Sequence, residues 1–390
     1  MSTLLSKCLL PPAILGLAAC GGQVDAQAPT LVPVDQTAVA QGAKMPRFKV
    51  DTSWPKLPDN LVVGQVSGIS LDKNGNIWIV QRRDTVRNLP EGKTPAPHVL
   101  KFAPDGTLLT SWGGPSHAPE IDGVNQWPVN VHGLYVDDHN TVWIGGNGKG
   151  DHVLINLTAD GKYLGQIGKR EKTAGNLDKA TLGGPADAYR DGDHIYVADG
   201  YTNKRMVSVN AKDKSFAQLW GAFGAEPTGP SRQGDFNQSM ASSNSDGGPN
   251  VESKSFGDIV HCVTKSNHGD IYVCDRRNNR IQIFRKDKAG AVKFVKNLPV
   301  SPETPTVRTA SDVSFSPDEK YMYIADMGNE RVWIALRESN QMLGYFGKSG
   351  KAPGEFIWLH SIVTDKQGNL YTTEVNGGQR VQKFVLAGID

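Results

Sequence analysis

Asp270-Ile271-Tyr272-Val273-Cys274-Asp275-Arg276-Arg277-Asn278-Asn279-Arg280-Ile281-Gln282-Ile283-Phe284 is the stretch on which the fold turns. Apolar and polar residues alternate on both sides of Asn278-Asn279, the period of a strand with two different faces. The reading is two strands joined by a short polar turn. Outward from it, the first half recurs five more times along the chain. It returns as Asn76-Ile77-Trp78-Ile79-Val80, Thr141-Val142-Trp143-Ile144-Gly145 and His194-Ile195-Tyr196-Val197-Ala198-Asp199, then as Tyr321-Met322-Tyr323-Ile324-Ala325-Asp326 and Asn369-Leu370-Tyr371-Thr372-Thr373. The second half returns as Arg380-Val381-Gln382-Lys383-Phe384, and several units close on Trp112-Gly113, Trp220-Gly221 or Phe346-Gly347. Units of roughly 40 residues with this pattern are what a four-stranded propeller blade requires. The fold class is therefore all-β, a six-bladed propeller over residues 46–390. The last unit ends near Val385 after three strands, so Phe48-Lys49-Val50 is expected to supply its outer strand and leave no free edge. A ring of seven or eight blades would need units that the sequence does not contain.

Composition excludes some functions. Lys and Arg number 42 against 40 Asp and Glu, a net charge of +2, which gives no reason to invoke nucleic acid or an anionic membrane surface. The N-terminus reads as an export signal. Lys7 precedes an apolar run from Leu9 to Ala19 that is too short to span a bilayer. Leu17-Ala18-Ala19-Cys20 resembles a bacterial lipobox, so residues 1–19 read as a lipoprotein signal peptide and Cys20 as the lipidated residue; the alternative is an ordinary secretory signal. Residues 20–45, rich in Gln, Ala, Pro and Thr, read as a flexible tether. Gly21-Gly22 follows the cysteine with no aspartate, which in bacterial lipoproteins points to the outer membrane. The expectation is an exported monomer facing the periplasm or cell surface, held at the membrane by its lipid alone. Cys262 and Cys274 flank a turn at Asn267-His268-Gly269-Asp270. They read either as a cross-strand disulfide, which an oxidising compartment permits, or as two buried thiols.

Aligning the units on the aromatic residue of the second strand brings Ser67, His132, Ala186, His261, Ser311 and His360 to the opening of each innermost strand. Histidine stands on blades 2, 4 and 6, with small residues between. Alternate blades of a six-fold ring point inward from directions a third of a turn apart, so the imidazoles should converge on the axis. Three neutral His nitrogens with a fourth position open are how a catalytic zinc is held; iron or copper would also accept them. By contrast, His139, His194 and His268 fall in or beside polar turns, and His98, His117 and His152 lie in or near loops. Fifteen residues after the opening position, in the loop that follows the second strand, stand Arg82, Tyr201 and Arg276. The guanidinium fork suits a carboxylate, and a phenol among cations suits a general base. The recurring Asp199, Asp275 and Asp326 read as blade-stabilising.

The repeats resemble the NHL family. Gly64 to Asp72, Val131-His132-Gly133-Leu134, Asp199-Gly200-Tyr201-Thr202-Asn203-Lys204-Arg205, His261 and Asp275 to Gln282 together resemble peptidyl-α-hydroxyglycine α-amidating lyase, over residues 64–385. The resemblance implies zinc on His132, His261 and His360, Tyr201 as base, and substrate recognition by Arg82 and Arg276. The implied reaction splits a carbinolamide N–C bond into an amide and glyoxylate, on a small or peptide substrate that carries a carboxylate. It also implies calcium bound through backbone carbonyls at Ile69 and Leu134 and an aspartate after the third histidine. Here that position is Ser361, which removes the carboxylate a hard dication prefers. Two rival readings stand beside the lyase: a non-enzymatic envelope recognition or scaffold propeller, and a lactonase-type hydrolase. The insertion from Ala222 to Phe256 is expected to border the site.

Overall fold

A computed structural model describes residues 30–37, 42–227, 250–257, 259–304 and 306–390. Among these residues, six antiparallel sheets of four or five strands form a closed ring, with two short two-stranded ribbons on its surface. Blade 1 comprises Gln65–Leu71, Ile77–Arg82, Val99–Phe102 and Leu108–Trp112. Blade 2 comprises Val131–Val136, Val142–Gly146, Val153–Leu157 and Tyr163–Gly168. In blade 3 the strands are Pro185–Asp191, His194–Asp199, Arg205–Asn210 and Phe216–Trp220. Those of blade 4 are Val260–Lys265, Asp270–Asp275, Arg280–Lys286 and Val292–Pro299. Blade 5 contains Asp312–Phe315, Tyr321–Asp326, Arg331–Leu336 and Met342–Phe346. Blade 6 contains Leu359–Thr364, Leu370–Glu374 and Arg380–Ile389, and Pro46–Asp51 is its outer strand, pairing Val50 with Phe384. The first strand of each blade packs against that of the next, and blade 6 meets blade 1.

The recurring residues have local jobs. In blades 1, 2 and 6 the turn after the first strand is built on a carboxylate, and in blades 4 and 5 on the hydroxyls of Ser266 and Ser316. Asp72 accepts from the backbone N–H groups of Asn74 and Asn76 and from Trp78 Nε1. Asp137 does the same for Thr141 and Trp143, and Asp365 for Gln367, Asn369 and the Tyr371 hydroxyl. One side chain thus closes the hairpin and fixes the aromatic residue that packs between blades. At the other end of the second strand, Asp199, Asp275 and Asp326 pair with Arg205, Arg280 and Arg331 of the third strand, at 2.9, 2.7 and 3.2 Å. Apolar side chains between neighbouring sheets form six interblade cores. Trp78, Val80 and Trp112 of blade 1 meet Val131, Ile144 and Ile155 of blade 2 in one of them. The ring closes through Trp54, Ile77 and Phe102 against Tyr371 and Val381.

The tether expected over residues 20–45 is corrected where the structure describes it. Val34–Gln36 adds a fifth strand to blade 5, pairing Val34 with Phe346, and Val32 and Met45 are buried in the core between blades 5 and 6. The outer strand of blade 5 offered an unpaired edge, and these residues cover it. The signal peptide, Cys20 and most of the Ala222 to Phe256 insertion lie outside the described residues, in which no helix is long and apolar enough to cross a membrane. Cys262 and Cys274, the two cysteines left open by the sequence, are joined as a disulfide between the first two strands of blade 4.

Candidate metal centre

His132, His261 and His360 are each the second residue of an innermost strand, on blades 2, 4 and 6. In all three blades the strand pairing slips at that point, between Val131 and Leu134, Val260 and Val263, and Leu359 and Ser361. Such an irregularity re-aims a side chain that would otherwise alternate across the sheet. The imidazoles meet on the axis with ring centroids 4.9, 4.7 and 4.7 Å apart. All three are buried, and one ligand atom from each lies within 4.8 Å of the others.

The donor set fits a transition metal. His132 Nδ1 lies 2.8 Å from the Ala186 carbonyl oxygen, and His261 Nδ1 lies 2.7 Å from that of Ser311. A carbonyl can only accept, so each Nδ1 carries the proton and each Nε2 turns a lone pair to the axis, the usual state of a ligating histidine. His360 Nδ1 is 3.1 Å from the Ser361 hydroxyl. His261 Nε2 and His360 Nε2 stand 3.3 Å apart; tetrahedral zinc with bonds of 2.0–2.1 Å requires about 3.3–3.4 Å between ligand nitrogens. Burial holds all three imidazoles well below their ordinary pKa, with the Arg82 and Arg276 charges acting in the same direction. Neutral imidazole is the form that binds a metal.

Gly133 shows how tight the approach is. A Cβ there would fall 2.2 Å from the Ala186 oxygen, the atom that orients His132. The missing Cβ of glycine is what lets the backbones of blades 2 and 3 come together here.

Tyr201, Arg82 and Arg276 surround the same point. The Tyr201 hydroxyl donates to His132 Nε2 at 2.7 Å, and its ring stands edge-on to His132 at 4.7 Å. The Arg276 guanidinium is buried, 5.9 Å from the centre of the Tyr201 ring, with Nη1 3.9 Å from Met327 Sδ. Arg82 donates to Val131 O, Gln65 Oε1 and Asn147 Oδ1. Burial lowers it to about 10, so it remains cationic at neutral pH. Asn147 lies fifteen residues after His132, at the offset that also identifies Arg82 and Tyr201, and so belongs to the same ring of positions. Arg308 and Trp358 gave no sequence signal. Both hold left-handed backbone, with φ of 80° and 57°, and the Arg308 guanidinium lies 5.2 Å from the Trp358 ring. Ile69, Leu134 and Ser361 line the channel below the histidines; the Ser361 hydroxyl is engaged by His360. Of the remaining histidines, His139 and His268 are exposed, whereas His98 is buried with Nδ1 on the Gln81 carbonyl.

Two further acids face this channel, Asp187 and Asp312. Burial pushes Asp187 up to about 7. Asp312 is raised well above its ordinary value, by burial first and then by the charge of Asp187. A carboxyl raised on folding stabilises the native state at low pH and loses that contribution as pH rises through the folded value. In the metal-free protein the three lowered imidazoles act in the opposite sense, so the difference between variant and parent is what is diagnostic: Asp187→Asn should gain stability relative to the parent as pH rises from about 5 to about 8. Melting curves in chelator, parent against variant, check this; parallel curves would contradict it.

The NHL-repeat profile matches residues 260–284. NHL repeat-containing protein 3 of Homo sapiens is 26% identical over 349 residues, 87% of this chain and 84% of that protein. Peptidyl-glycine alpha-amidating monooxygenase B of Xenopus laevis is 27% identical over 343 residues, 86% of this chain and 35% of that protein, so the chain spans about a third of its length. The probable peptidyl-alpha-hydroxyglycine alpha-amidating lyase pgal-1 of Caenorhabditis elegans is 28% identical over 166 residues, 40% of this chain and 44% of that one. The match at residues 260–284 marks an NHL repeat in blade 4 of this six-bladed ring, and the chain is similar to the first two of these relatives over most of the propeller.

Proposed function

We propose that the protein is a metal-dependent lyase that cleaves a carbinolamide N–C bond, as in a peptide ending in α-hydroxyglycine, giving an amide and glyoxylate. The observation that carries this reading is the Tyr201 hydroxyl 2.7 Å from His132 Nε2, inside a set of three convergent imidazoles and beside two buried arginines. A divalent metal bound by His132, His261 and His360, zinc by preference, supplies Lewis acidity to a substrate oxygen. With His132 Nε2 given over to the metal, Tyr201 would release that hydrogen bond and, as the phenolate, take the proton of the carbinol hydroxyl. The carbonyl of glyoxylate forms, the C–N bond breaks, and the electron pair leaves on the amide nitrogen, which takes up a proton. Arg276 and Arg82 hold the substrate carboxylate, with Arg82 braced by Gln65 and Asn147. The similarity to amidating enzymes supports the reaction class. The N-terminal pattern supports an exported lipoprotein anchored at the outer membrane through Cys20, which a disulfide in blade 4 suits.

The test is elemental analysis of the chain purified without added metal, followed by an assay for glyoxylate release from an α-hydroxyglycine peptide. A transition metal near one equivalent with stoichiometric glyoxylate is the expected result. A metal-free protein without lyase activity after zinc is supplied would defeat the reading and favour the recognition propeller.

A further inference from the structure

We propose that Asp187 and Asp312 are positioning residues that tie the three histidine-bearing strands into one unit, so that the geometry at His132, His261 and His360 is set from the intervening blades. The proposal rests on the reading of those histidines as a metal centre. Each aspartate follows the small residue that opens the innermost strand of an odd blade, and each such pair of residues makes two bonds in opposite directions. Ala186 gives its carbonyl oxygen to His132 Nδ1 of blade 2 at 2.8 Å, while Asp187 Oδ2 accepts from the Val263 N–H of blade 4 at 3.0 Å. Ser311 gives its carbonyl to His261 Nδ1 of blade 4 at 2.7 Å, while Asp312 Oδ2 accepts from the Ile362 N–H of blade 6 at 2.9 Å. Val263 and Ile362 each lie two residues after a histidine. The carbonyl that orients one imidazole belongs to the peptide whose nitrogen is that of the aspartate. Pinning the aspartate to the next blade therefore fixes that carbonyl.

The chain of contacts runs from His132 through blade 3 to the His261 strand, and from His261 through blade 5 to the His360 strand. Blade 1 lacks it for a steric reason. Gly68 takes the aspartate position there, and a Cβ on it would lie 2.8 Å from both His132 O and Leu134 N. Ser67 Oγ instead bonds Val131 O, next to His132. The matching positions on the histidine blades serve other ends, since Gly133 has no side chain, Cys262 is bridged to Cys274, and Ser361 bonds its own neighbour His360. An acceptor reaching the next blade at this level is thus confined to Asp187 and Asp312 on the odd blades. Outer partners of this kind govern how well a site holds its metal.

The experiment compares the full chain with Asp187→Ala, Asp312→Ala and Asp187→Asn. Zinc affinity is measured by chelator competition, the visible spectrum of the cobalt(II)-loaded protein is recorded, and metal-free melting is followed in parallel. The two alanine variants should lose about 10–100-fold in zinc affinity and show an altered cobalt band. Asp187→Asn keeps an acceptor oxygen for Val263 and should stay within about threefold of the parent, well inside that range. Alanine variants that melt lower but keep the parent's affinity and spectrum would make these residues plain blade staples and overturn the proposal. If one alanine variant does not fold, the other carries the test, because each acts on a different histidine strand. A parent chain that binds no transition metal overturns the metal reading itself, a result distinct from unaffected variants of a metal-binding parent.

Discussion

His261→Ala is expected to weaken zinc binding by about 100-fold or more while leaving the propeller folded. Structural zinc sites with four ligands are worth roughly 10–16 kcal/mol, so one ligand accounts for about 3 kcal/mol, or about two powers of ten in affinity. His261 is one corner of a near-equilateral set, with ring centroids 4.9 Å from His132 and 4.7 Å from His360. Its removal leaves two imidazoles, and two neutral nitrogens with water do not make the closed face of donors that a zinc-binding chain supplies. The fold should survive because the strand Val260–Lys265 is held by its ladder to Asp270–Asp275 and by apolar neighbours, Val260 and Val263 among them. The variant loses one hydrogen bond, from His261 Nδ1 to the Ser311 carbonyl, worth about 1 kcal/mol. Zinc titration by competition, beside His268→Ala as a surface control, checks the expectation. Equal affinity in parent and His261→Ala would remove the metal centre from consideration.

The histidine register could be read from the sequence because a ring converts an offset along the chain into a direction in space. Each blade repeats its own alternation and its own aromatic residue, so Trp78, Trp143, Tyr196, Tyr272, Tyr323 and Tyr371 set six frames without any long-range information. Residues at one offset in those frames must share a radius and a level. What escaped the sequence lies where that frame is broken. Val34–Gln36 belongs to no repeat, and its pairing is dictated by the free edge of Met342–Phe346, far away in sequence. The slips in pairing at the opening of the innermost strands of blades 1, 2, 3, 4 and 6 are not encoded by alternation along one strand. Asp187 and Asp312 are single residues beside small ones, and their importance appears only once the innermost strands of the next blades are seen to offer Val263 and Ile362. Arg308 and Trp358 adopt left-handed backbone without glycine or asparagine to announce it.

Tyr201→Phe separates holding the metal from doing chemistry, and it carries the second large effect. The ring of Tyr201 stands edge-on to His132 at 4.7 Å and lies 6.2 Å from His261, and phenylalanine preserves both contacts. What is lost is one hydroxyl, 2.7 Å from His132 Nε2 and thus beside the metal's expected position. Zinc content should therefore stay near that of the parent. The turnover number should fall by roughly 10²–10⁴-fold, the usual contribution of a positioned general base. KM should change far less, because the carboxylate of the substrate is held by Arg82 and Arg276 and not by the phenol. Arg276→Ala provides the contrast. It removes a buried guanidinium from beside the phenol and should act chiefly on KM, since its role is to grip the substrate at both ground and transition states. Steady-state kinetics of glyoxylate release, with zinc measured on the same samples, distinguishes the two. If Tyr201→Phe kept both its zinc and a turnover number within tenfold of the parent, the proton would have to leave by another route. The buried groups closest to the histidines would then have to be searched for a different base.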